Sequence, residues 1–141
     1  MLFDQLAMKG HLTIALNGEA VQEVPNLVVT TGKNFVASRI KDTTDAAMSH
    51  MAIGSGTTAA AAGDTALGTE LDRQALTSTT VTNNTITYVA TFGAGDGTGA
   101  VTEAGLFNAA SGGSLLCRTV FNVVNKGASD SMTITWVVTV S

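Results

Sequence analysis

Charge is scarce in this sequence. Asp, Glu, Lys and Arg make up 13% of its 141 residues, about half the share usual in soluble domains. The seven basic residues are scattered and the formal net charge is −4, so no Lys/Arg cluster is available to neutralise phosphates, which argues against a nucleic-acid binder. The nearest approach to such a cluster, Lys33, Arg39 and Lys41, is followed at once by Asp42 and Asp45. The single cysteine, Cys117, excludes an intrachain disulfide and a cysteine-rich metal site. It sits in the apolar run Leu115–Phe121 and reads as a buried structural thiol. The two histidines, His11 and His50, have no neighbouring His or Cys at metal-ligand spacing. His50, between Ser49 and Met51, reads as a strand histidine with an ordinary hydrogen bond.

No segment approaches the ~18 uninterrupted apolar residues of a membrane span. The opening MLFDQLAMKG has neither the basic start nor the long apolar core of a secretory signal. The expectation is a soluble chain made in the cytoplasm and uncleaved. Its sparse charge fits two situations: faces covered by neighbours, or a β-surface on which threonine hydroxyls stand in for charges.

What the chain has is glycine, threonine and short apolar runs. Thr102–Phe121 is the clearest stretch, with Ala104–Phe107 and Leu115–Phe121 separated by Ser111-Gly112-Gly113-Ser114. Apolar runs of this length around a glycine turn predict a central β-hairpin. In Thr85–Phe92, Ile86, Tyr88, Ala90 and Phe92 alternate with Thr85, Thr87, Val89 and Thr91. In Ser131–Ser141, Met132, Ile134, Trp136, Val138 and Val140 do the same against Thr133, Thr135, Val137 and Thr139. A period of two is the pattern of a half-buried strand. His11–Leu16 and Glu19–Val24 flank the turn signal Asn17-Gly18 and read as a hairpin, and Ala47–Ile53 reads as a further strand. Leu71–Val81 reads as extended and Thr-rich, Asn83-Asn84 as a turn, and Asn122–Asp130 as the crossing to the last strand. Ala59–Ala62 is readable as a helical turn or as a loop.

Asn26–Lys41 carries Leu27, Val28, Thr31, Phe35, Val36 and Ile40 at near-helical spacing, with Asn26 placed as an N-cap. Gly32 weakens that helix by about 1 kcal/mol relative to alanine. The fold expected is therefore mainly β: a single-domain antiparallel β-sandwich or jelly roll over residues 11–141, with one short helix near residues 27–40. Residues 1–10 form an N-terminal arm. Its apolar Leu2, Phe3 and Leu6 are the candidate interface with a neighbouring subunit, since so apolar a terminus must dock on its own domain or on a neighbour.

No catalytic residue, cofactor site or metal site is expected from the sequence. Gly93–Gly99 is glycine-rich, but the strand-like Ala100–Phe107 follows it where a phosphate-binding loop needs a helix, and no Gly-Lys-Ser/Thr is present. It reads as a mobile strand connection. Asp96 within it lacks the dense Asp/Asn spacing of a calcium loop. No nucleophile-elbow motif supports a Ser-His-Asp set, and Asp64, Glu70, Asp72 and Glu103 are far apart in sequence. Glu103 is expected to pair with Arg118 on the neighbouring strand. Asn83-Asn84-Thr85 is a formal glycosylation sequon and otherwise a turn.

Three segments together resemble structural proteins of tailed bacteriophages: NLVVTTGKNFVASRI at Asn26–Ile40, MAIGSGTTAAAAGDTALGTELDRQAL at Met51–Leu76, and the TEAGLF and LLCRTVF strands of Thr102–Phe121. Within that group the chain looks most like a jelly-roll capsid cement (decoration) protein of a short-tailed phage. The resemblance implies a non-enzymatic virion protein on the capsid exterior. It would bind the major capsid protein in many copies, as a homo-oligomer (dimer or trimer), with no direct contact to nucleic acid or membrane. The alternative it leaves open is a tail-fibre or collar attachment module, or a receptor-binding module of the tail.

Overall fold

Alternating apolar and hydroxyl side chains close into two antiparallel five-stranded sheets. The computed structural model describes residues 5–141. In chain order the elements are β1 (Met8–Leu16), β2 (Glu19–Pro25), β3 (Leu27–Val28), α1 (Thr30–Lys41), β4 (His50–Gly54), β5 (Glu70–Ala75), β6 (Ser78–Thr82), β7 (Thr85–Phe92), β8 (Gly99–Phe107), β9 (Leu115–Lys126) and β10 (Met132–Val140). The first sheet runs β2-β1-β10-β7-β6 and the second β3-β9-β8-β4-β5. The expected β-sandwich with one helix is what the chain forms.

The core lies between the sheets. Leu12, Ile14, Ala90, Phe92, Ile134 and Trp136 from the first meet Met51, Ile53, Ala104, Leu106, Cys117 and Phe121 from the second. A second, smaller cluster of Val29, Ala52, Leu67, Phe107 and Leu115 includes residues from β4, β8 and β9 together with others from the helix entry and the 55–69 segment. The second sheet is thus covered on both faces, and every residue of Val101–Phe107 is buried. That is why β8 is a continuous apolar run while β7 and β10, with one face open, alternate.

Several boundaries differ from the sequence reading, each for a local reason. The helix starts at Thr30 because Leu27 and Val28 pair with Arg118 and Cys117 as β3, giving their backbone groups strand partners. Asn26 is not the cap: its Oδ1 accepts the Trp136 indole N–H at 3.2 Å, and the capping position is Val29, without a side-chain bond. Gly32 lets the helix approach β9 closely, since a Cβ there would collide with the Leu116 carbonyl. Beside it the Thr31 hydroxyl donates to the Leu115 carbonyl at 2.8 Å.

The extended stretch Leu71–Val81 divides between sheets, β5 joining the second and β6 the first. Asn122–Lys126 prolongs β9 opposite Gly99–Val101 rather than crossing the sandwich. The alanine run 59–62 is loop. The N-terminal arm is shorter than expected: Met8–Gly10 belong to β1, opposite Val138–Val140, and Ala7 exchanges backbone hydrogen bonds of 2.7 and 2.8 Å with Ser141. Asn17 and Gly18, with φ of 51° and 83°, form the hairpin turn that the Asn-Gly pair signals.

Gly32→Ala separates propensity from packing. Alanine is the better helix former by about 1 kcal/mol, yet the added methyl must push the helix off β9. We expect a net loss of about 1–3 kcal/mol in denaturant unfolding; unchanged or increased stability would contradict the close approach.

Candidate functional site: a buried ionic lock

The outer face of the second sheet holds two side chains that a β-core rarely accepts. Glu103 on β8 is fully buried and Arg118 on β9 is 2% exposed. They sit diagonally across the β8–β9 ladder, with Glu103 opposite Val120 and Arg118 opposite Gly105. Arg118 donates to Glu103 Oε1 from Nε at 3.1 Å and from Nη2 at 2.9 Å. The expected Glu103–Arg118 pair therefore forms, and it forms in the interior.

Three backbone amides of the covering 55–69 segment, a strap across the sheet, complete the carboxylate's shell. Gly68 N–H donates to Oε1 at 2.8 Å, and Gly56 and Thr69 N–H donate to Oε2 at 2.6 and 2.8 Å. Arg118 reaches the same strap with its remaining donors, giving Nη1 to Asp64 Oδ2 at 2.8 Å and Nη2 to the Thr58 carbonyl at 3.0 Å. The Thr102 hydroxyl donates to Gly56 O at 2.7 Å, and Ser55 N–H to Thr69 O at 2.9 Å closes the base of the loop. Thr30 N–H donates to Ala62 O at 2.8 Å, tying the start of α1 to the strap. The glycine at position 56 is needed for space: a Cβ there would overlap the Glu103 carboxylate.

Electrostatics follow from this shell. Burial pushes the Glu103 carboxyl up. The amides of Thr69 and Gly68, the Arg118 guanidinium and the Gly56 amide outweigh it and hold the group below its ordinary value of 4.5. Asp64 is lowered chiefly by the Ala61 amide, against some desolvation, with Arg118 adding to the effect. Chemically the cluster has almost no free capacity. Both Glu103 oxygens accept, and Arg118 makes four bonds to protein acceptors from its five N–H groups. The arrangement clamps a loop onto a sheet.

A second cation holds the neighbouring edge. Arg73 on β5 lies 3.7 Å over the Phe107 ring and donates to the carbonyls of Ala109 and Gly112 at 3.0 and 2.9 Å, while Glu70 pairs with it at 2.7 Å. It fixes the tip of the β8–β9 hairpin.

Of the interface residues expected from the sequence, Leu2 and Phe3 lie outside the described residues. Leu6 is 74% exposed and, with Ala7, Met8, Val28, Lys33 and Val36, lines a groove of about 420 Å³ between β1 and α1. Cys117 is buried as expected, and His50 Nδ1 is 2.8 Å from the Ser49 hydroxyl. The glycine stretch 93–99 does lead into a strand. Its start is held by Lys126 Nζ, which donates to Gly93 O at 2.7 Å, and Gly97 packs against Ile53 and Asp72. No spacing or periodicity in the sequence connects Asp64, or the glycines at 56 and 68, with Glu103. The signal that points to buried partners is a lone Glu and a lone Arg inside apolar strands, which demand them.

Among the described residues, no group of three or more His, Cys, Asp or Glu side chains is placed to hold a metal ion, and no helix is long and apolar enough to cross a membrane. No known protein family, curated protein or solved structure matches the chain.

Glu103→Gln removes the buried carboxylate, leaves Arg118 only the partly exposed Asp64 as counter-charge, and should cost about 3–5 kcal/mol at neutral pH. Because the folded Glu103 value is lowered, its contribution is complete above 4.5 and is lost as pH falls through the lower folded value. Wild type should therefore lose stability faster than Glu103→Gln as pH drops from 5 toward 3, so that the gap in melting temperature narrows. A pH-independent gap would contradict the lock.

Proposed function

We propose that this chain is a capsid cement (decoration) protein of a tailed phage, binding the major capsid protein on the exterior of the head and stabilising the shell. The observation that carries the reading is where the three phage-like segments meet. Asn26–Ile40 supplies β3 and most of α1, Met51–Leu76 supplies most of β4, the strap and β5, and Thr102–Phe121 supplies most of β8 and the first half of β9. They assemble the second sheet with its cover, and the ionic lock joins two of them through Glu103, Arg118 and Asp64. Charged residues spent on internal clamping, as Asp64, Glu103 and Arg118 are, fit a scaffold.

The mechanism is mechanical. A packaged genome strains a shell at the joints between capsomers, and a rigid clip across a joint adds buried area there. Lattice spacing makes many modest contacts act together. Leu6, exposed beside the β1–α1 groove, is the described residue of the arm that would reach a neighbour.

Counting copies per purified virion by quantitative mass spectrometry, against the major capsid protein, tests the reading. Cement predicts copies on the order of hundreds per particle, as multivalent coverage of a lattice requires. A count of tens or fewer overturns it and points to a tail-fibre or collar position.

A further inference from the structure

A sheet edge is a row of unpaired backbone donors and acceptors, and proteins that stay monomeric obstruct it with charge, proline, shortness or a cover. Among the described residues the two sheets have four edges: β2 and β6 in the first, β3 and β5 in the second. Three are obstructed. β2 carries Glu19, Glu23 and Pro25, and β5 carries Glu70, Asp72 and Arg73. β3 is two residues long and runs directly into α1.

β6 is different. Its sequence Ser-Thr-Thr-Val-Thr contains no charge, proline or glycine, and every residue is exposed. It lies within Gln74–Gly95, where no side chain is charged. Thr79 and Val81 stand opposite Tyr88 and Ile86, on the core side of the sheet, yet Val81 is 68% exposed. The strand overhangs the sandwich, open on both faces and along its outer edge.

We propose that β6 is the pairing edge for a second copy of this chain, joined antiparallel about a two-fold axis at Thr80. The two five-stranded sheets then continue into one across the interface. A two-fold axis brings each residue close to its own copy, so a charged edge would repel itself, whereas this one carries no charge. In that register Val81 of each copy lies opposite Thr79 of the other on the core-side face, which covers the exposed Val81. A foreign strand would draw its specificity from alternating side-chain pockets, and the small, flat Ser and Thr side chains of β6 favour a copy of itself. A five-residue strand pair is small beside the ~800 Å² per partner of a standard interface, so the association is weak and concentration-dependent. This inference goes beyond shell binding and is tested without a shell.

The test is sedimentation of the full chain from micromolar to millimolar concentration, alongside Thr80→Lys, Thr80→Glu and their equimolar mixture. The wild-type average mass should rise from 14.3 kDa toward twice that value. Each single-sign variant should dissociate at least about tenfold more readily through like-charge repulsion, and the mixture should recover association as a heterodimer. Recovery in the mixture also shows that both variants are folded. A wild type that stays monomeric throughout, variants that associate as tightly as wild type, or a mixture that fails to recover would each overturn the proposal.

Discussion

The Glu103–Arg118 pair is the interaction on which the second sheet depends. Taking a carboxylate and a guanidinium out of water costs several kcal/mol per ion, and their attraction offsets this only when the remaining donors and acceptors are also satisfied. Here they are. The carboxylate receives two guanidinium and three amide hydrogen bonds, and the guanidinium also meets Asp64 and the Thr58 carbonyl. Since all these partners but the pair itself lie on the 55–69 segment, the strap cannot lift without leaving buried charge unsatisfied. A long loop whose one large apolar residue is Leu67 is thereby held to one conformation.

The rest of the architecture follows from which face is covered. Strap and helix close the outside of the second sheet, so β8 is buried along Val101–Phe107 and the space above it admits only glycine at position 56. Among the described residues, none covers the outer face of the first sheet in this way. Thr133 and Thr135 stand there opposite Thr91 and Val89, which belong to the strand that β6 borders. Scarce charge therefore reflects two conditions at once: a few ions committed to the interior of one half, and hydroxyls in place of ions on the other. The molecule is two-sided, with one sheet locked and one sheet open.

Much of the fold is legible in the sequence because its signals are local. The alternation in Thr85–Phe92 and Met132–Val140 gives β7 and β10, and Asn17-Gly18 gives the first hairpin turn. The misplaced boundaries share one cause, which is tertiary pairing overriding local preference. Leu27 and Val28 fit a helical period, yet β9 offers them a strand partner, and Gly32 is a defect only for a helix without the Leu116 carbonyl beside it. The Glu103–Arg118 pair is legible as two charges among apolar neighbours on adjacent strands. The part played by Asp64 is not, because it lies 39 residues before Glu103 (103 minus 64) in a loop without periodicity. Only the folded strap brings it to Arg118.

The proposed role on a phage shell presupposes that the covered half of the sandwich is rigid, and that rigidity is attributed to the lock. Amide hydrogen exchange by NMR measures it directly at Gly56, Gly68 and Thr69, the three residues whose N–H groups bind Glu103. In wild type these amides should be protected like strand amides although they lie in or at the end of a loop. Glu103→Gln should release them together while β7 and β10 keep their protection. Wild-type exchange at the rate of an unstructured loop would contradict the account.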